Sequence, residues 1–169
     1  MRTGAPPVST HIPRLDSEIR GWPCPGVVSI HGGVGTGRMG VVLPSMQTHT
    51  QNDKMVAIVD PLGWLHPPGL PDINLQRLMI VRCGGARAGW AAAQLAASGA
   101  IPLVVLLDPP PLRADARRLR RATEAGQSTL FVLTEQPDQH LNTPIRLRTL
   151  GNGQLKIERG APHQPVITL

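Results

Sequence analysis

The stretch Val27-Val28-Ser29-Ile30-His31-Gly32-Gly33-Val34-Gly35-Thr36-Gly37-Arg38-Met39 decides how this chain is read. An apolar run with the composition of a buried strand passes directly into a glycine loop whose Gly32 and Gly37 stand five residues apart. That is the shape of a phosphate-binding loop, G-x-x-x-x-G-K-[S/T]. In such a loop backbone N–H groups cradle phosphates, the Lys reaches the β- and γ-phosphates, and the hydroxyl ligates Mg²⁺. Here the last two places hold Arg38 and Met39. Arg is a bulkier planar fork where a compact ammonium is needed, and a methionine side chain has no oxygen to give to Mg²⁺. The loop points to a nucleotide-hydrolase scaffold that has given up hydrolysis and kept binding or regulation.

Working outward, Met55-Val56-Ala57-Ile58-Val59, Leu78-Met79-Ile80-Val81, Leu103-Val104-Val105-Leu106-Leu107 and residues 129–133 read as further apolar strands. Helical patterns lie between them. Residues 41–46 form one, which Pro44 is expected to end or kink early. Residues 86–97 form an alanine-rich one stopped by Gly99, and residues 112–125 the strongest. Ile12, Leu15 and Ile19 add a short amphipathic stretch before the first strand. Ile145-Arg146-Leu147-Arg148 and Leu155-Lys156-Ile157-Glu158 alternate around Gly151-Asn152-Gly153, a hairpin signature. Nearly all-apolar strands alternating with helices predict an α/β fold, a mainly parallel sheet covered on both faces with a C-terminal β-hairpin. At 169 residues one domain is expected over residues 9–169, preceded by a flexible arm over residues 1–8.

Composition narrows the function. Trp22, Trp64, Trp90 and Phe131 are the whole aromatic complement, so a stacking platform for single-stranded bases is largely missing. Lys plus Arg exceed Asp plus Glu by 17 to 11, which favours an anionic partner, although small soluble domains carry this charge without one. Cys24 and Cys83 lack paired-ligand spacing, so neither a disulfide framework nor a zinc site is expected, and the six histidines are scattered. No secretory h-region or transmembrane run is read from the sequence, and a cytoplasmic location away from membranes is the expectation.

Ligands of open α/β sheets bind at the carboxyl ends of the strands, where helix N-termini face anions. Asp108 closes the fourth strand there, in the manner of the acidic residue that helps hold Mg²⁺ in P-loop enzymes. The candidate nucleotide contacts are therefore Gly32, Gly35, Gly37, Arg38 and Asp108, a degenerate site from which at most weak ATP binding is expected; no cofactor and no metal are assigned. Against this stands the plain alternative of a tight turn and a loop aspartate.

The order of motifs resembles the RecA-like superfamily. Ser9-Thr10-His11-Ile12-Pro13-Arg14-Leu15-Asp16 followed by Gly21-Trp22-Pro23 and Gly26 is similar to the lead-in of the recombinase core. The likeness continues through the glycine loop, Ala57-Ile58-Val59-Asp60 and Leu95-Ala96-Ala97-Ser98-Gly99-Ala100. The Trp-Pro pair, the short length and the ending Lys156-Ile157-Glu158-Arg159-Gly160-Ala161-Pro162 look most like the ImuA/SulA group of SOS-response accessory proteins. The resemblance implies a RecA-type core in the bacterial cytoplasm. It also implies action in the DNA damage response through contact with a recombinase (RecA) or a translesion-synthesis polymerase component. Leu62 stands where the family carries its catalytic Glu, and Gln136 matches a nucleotide-sensing Gln. The segment Pro137 to Asn142 is too short for the family's DNA-binding loop.

One surface feature stands outside the loop. Arg113, Arg117, Arg118, Arg120 and Arg121 make a broad stripe that suits phosphates or an acidic partner, or forms a solvated outer face partly neutralised by Asp115 and Glu124. The leading expectation is a catalytically inactive RecA-like accessory protein. The alternatives are an ATP-binding, DNA-dependent ATPase and a SulA-like cell-division inhibitor; direct DNA contact and self-association stay open.

Overall fold

The computed structural model describes residues 5–169. The chain forms α1 (Pro13–Ile19), β1 (Gly26–His31), α2 (Arg38–Gln51), β2 (Val56–Val59), β3 (Leu78–Val81) and α3 (Gly85–Ala97), then β4 (Leu103–Leu107), α4 (Ala116–Gly126), β5 (Thr129–Thr134), β6 (Ile145–Gly151), β7 (Gln154–Arg159) and β8 (Val166–Thr168). The strands make one sheet in the order β3-β2-β4-β5-β1-β6-β7-β8. The first six run parallel, and β7 and β8 are added antiparallel. The expected hairpin is β6–β7. The third strand β8 is an addition that three residues were too few to announce.

Alternation within each strand splits the core in two. Val28, Ile30, Val105 and Phe131 face the side covered by α1 and α2, whereas Val27, Val104, Leu130 and Val132 face α3 and α4. The alanines of α3 (Ala88, Ala92, Ala96) are fully buried and let that helix lie close to α4 and the sheet. Of the expected arm, residues 1–4 lie outside the described residues, and Val8 forms an isolated antiparallel bridge with Trp22. Among the described residues no helix is long and apolar enough to cross a membrane.

Two helices differ from expectation. Rather than ending near Pro44, α2 starts at Arg38, directly on the glycine loop, and runs on to Gln51. Proline within a helix costs about 3 kcal/mol. The fully buried Val41, Val42 and Met46 outweigh this, at about 1.5–3 kcal/mol each. The second difference is α4, which begins at Ala116 and not at Leu112. The Leu112 N–H is taken by Asp138 Oδ2 at 2.8 Å, and residues 113–115 form a turn.

The turn of α2 beyond Pro44 is tied to the lead-in segment by a buried polar link. Trp22 Nε1 donates to Ser45 Oγ at 2.9 Å, and Ser45 Oγ donates to the Thr10 carbonyl at 3.3 Å. The Trp22 ring stands edge-on to Phe131 with centroids 5.0 Å apart, so it is held in place when its partner is removed. Ser45→Ala leaves the indole N–H buried without an acceptor, and we expect a loss of about 2 kcal/mol in urea denaturation. A loss below about 0.5 kcal/mol would mean that the link contributes little beyond packing.

Candidate functional site

The parallel strands β1, β4 and β5 end together, and their C-terminal ends carry the glycine loop, Asp108 and the segment from Thr134 to Gln136. The sequence-level candidates converge here in part. Arg38, the first residue of α2, reaches across to Asp108, 70 positions later in the chain: Nη1 donates to Oδ1 at 2.5 Å and Nη2 to Oδ2 at 3.2 Å. Both side chains are largely buried, at 13% and 24% exposure. This two-point fork is the geometry in which guanidinium and carboxylate bind most strongly. Asp108 is held for it in a left-handed conformation, φ +37°, with its N–H donating to the Leu133 carbonyl.

The fork neutralises both charges that a nucleotide site would need free. The cation in the Lys place is saturated by a carboxylate, and the carboxylate in the Mg²⁺-holding place is saturated by a cation. Thr36, the one hydroxyl in the loop, is also committed. Its Oγ1 lies 2.7 Å from the Gly33 carbonyl and 2.6 Å from Thr149 Oγ1 on β6. Met39 supplies no oxygen. The residues present do not fit a Mg²⁺-bound triphosphate, and no chemical step through one follows from them.

The glycines serve different ends. At Gly32 a Cβ would collide with the Thr149 hydroxyl and carbonyl and with Thr36 Oγ1, so this position is glycine because β6 lies against it. Gly35 and Gly37 have φ of +77° and +93° with open space around them, so they are glycine for backbone conformation. None of these constraints invokes a phosphate. At the base of the loop His31 Nε2 lies 2.8 Å from Glu158 Oε2, joining β1 to β7 across β6.

Two cavities open at this end of the sheet, with Gln136 lining both. One of 410 Å³ lies between the loop, Gln136, Arg148 and Glu158. The other, of 540 Å³, is lined by Leu62, Trp64, Asp108, Pro109 and Gln136 among others. Leu62, at the place of the expected catalytic Glu, is half exposed on its rim beside Trp64, which is 73% exposed. Two residues earlier, Asp60 is buried, and its carboxylate accepts the N–H groups of Gly63 and Leu65 at 2.9 Å. Asp60 thus pins the turn that presents Leu62 and Trp64. Sequence reasoning passed over Trp64, Val34 (72% exposed at the loop tip) and Thr149. Trp64, a lone aromatic in a Pro/Gly-rich loop, was the one carrying a signal.

All five arginines of the stripe are exposed. The structure separates them. Arg113, Arg117 and Arg120 line a groove beside α4, whereas Arg118 pairs with Asp115 at 2.7 Å and Arg121 lies outside the groove. The segment after Gln136 is short, as expected, and Asp138 fastens it through the N–H groups of Leu112 and His140. No protein-family model and no curated protein matches the chain.

Proposed function

We propose that this chain is a RecA-like accessory protein of the bacterial DNA damage response, related to the ImuA/SulA group. It acts by binding a recombinase or a translesion-synthesis component and does not turn over nucleotide. The observation that carries the reading is the Arg38–Asp108 fork, which satisfies within the protein the two groups a P-loop enzyme keeps for phosphate and Mg²⁺. The motif order along the sheet supports the RecA-like part of the reading, with the glycine loop after β1 and Asp108 after β4. The rim of the former site supports the binding part. Val34, Leu62 and Trp64 are exposed apolar side chains at a place where a hydrolase needs polar ones.

The test is capture of purified RecA recombinase, or of a translesion polymerase subunit, on the immobilised chain, alongside an assay for Mg²⁺-dependent ATP hydrolysis. Capture without turnover is expected. ATP hydrolysis that disappears in Arg38→Ala, with no capture, would establish the ATPase alternative instead.

A further inference from the structure

Beside α4 runs a groove of 730 Å³. One wall carries Arg113, Arg117 and Arg120. The opposite lip is the chain from Leu141 to Pro144, and Val27 at the start of β1 contributes to the lining. Arg117 and Arg120 stand three apart on one face of α4, and Arg113 extends the row from the turn before it. None of them forms an ion pair among the described residues.

More positive charge stands behind the lip. Arg146 Nη2 donates to the Leu141 carbonyl at 2.8 Å, and its Nε is buried without a partner. Arg159 Nη1 donates to the Thr143 carbonyl at 3.1 Å and also to Asn142 Oδ1. Both guanidiniums are held by neutral oxygens, so their charges stay uncompensated.

From this the geometry points to a docking groove for an acidic protein segment, one whose Asp and Glu residues alternate with apolar ones. Alternate residues of an extended segment fall about 6.6 Å apart on one side. Arg117 and Arg120 are separated by about 4.5 Å along α4, and their long side chains let the guanidiniums reach successive carboxylates. The apolar lining of Val27, Ala116 and Leu141 receives the intervening side chains. A nucleic-acid strand fits less well. Its one aromatic ring is His140, and without a second ring there is no platform for successive stacked bases. The inference deepens the partner-binding reading and rests on it for the partner's identity alone.

The test uses a fluorescein-labelled peptide of three Asp-Leu-Glu-Ala repeats, titrated with the full chain and followed by anisotropy. Labelled twelve-residue oligo-dT serves as the rival ligand. Arg113→Glu/Arg117→Glu/Arg120→Glu is expected to weaken peptide binding at least tenfold. Arg14→Glu/Arg87→Glu, at exposed arginines outside the groove, should change it less than twofold. The milder Arg113→Gln/Arg117→Gln/Arg120→Gln stands in should the charge reversal fail to fold. The groove assignment is overturned by an absence of peptide binding, by equal binding to the wild type and the groove variants, or by tighter binding of oligo-dT. Peptide binding lost in the groove variants supports it even where no recombinase is captured, an outcome that removes only the accessory reading. Recombinase capture undiminished in the groove variants keeps that reading and overturns the groove.

Discussion

Gly32→Ala is expected to lose about 3–4 kcal/mol of stability, from forced overpacking and the hydrogen bonds it breaks. The added methyl would sit 2.7 Å from the Thr149 carbonyl and from Thr36 Oγ1, with the Thr149 hydroxyl closer still. The Thr149 carbonyl is backbone and cannot turn aside, and the two hydroxyls are bonded to each other. Relief requires the loop to lift from β6, which breaks the Thr36–Thr149 hydrogen bond and strains the link from the Gly32 N–H to the Thr134 carbonyl. Gly35→Ala meets nothing within 4 Å and bears only the cost of a left-handed backbone, φ +77°. That cost is about 1–2 kcal/mol. Thermal melts of the two variants decide the point. For a chain of this size 1 kcal/mol moves Tm by about 2–4 °C, so Gly32→Ala should melt about 10 °C lower and Gly35→Ala a few degrees lower. Equal small shifts would show that the loop does not bear on β6 as described.

The second large effect concerns the fork. Asp108→Asn keeps the size of the side chain and its tolerance for the left-handed conformation, but leaves the mostly buried Arg38 guanidinium without its counter-charge. Removing one partner of such a pair costs more than the pair contributes, because the remaining charge stays desolvated. We expect a loss of about 2–3 kcal/mol on that ground. Arg38→Met combined with Asp108→Asn should recover about half of it, because no unpaired charge remains. The coupling read from the double-mutant cycle is expected at about 1–2 kcal/mol. Strict additivity of the two substitutions would mean that the fork is not formed in solution.

These two predictions rest on contacts the sequence did not announce. The strands were legible because continuous apolar runs such as Leu103-Val104-Val105-Leu106-Leu107 have no other place than a sheet covered on both faces. The β6–β7 turn was legible from Gly151-Asn152-Gly153, whose residues all adopt positive φ. Pro44 misled because local cost was weighed without the burial of Val41, Val42 and Met46, which only the tertiary structure reveals. Arg38 and Asp108 each drew attention singly, yet nothing in a linear pattern shows that residues 70 apart meet in a fork. Thr149 was invisible for the same reason. Its importance lies in where β6 falls beside β1, and strand order is not written in periodicity.

The central proposal is that a loop with the shape of a phosphate cradle serves here as a structural element, with Arg38 and Asp108 bound to each other. Isothermal titration of Mg²⁺-ATP into the full chain, carried to millimolar nucleotide, tests it most directly. The account predicts no saturable heat, in the wild type and in Arg38→Ala alike. One-to-one binding in the micromolar range by the wild type, abolished in Arg38→Ala, would contradict it.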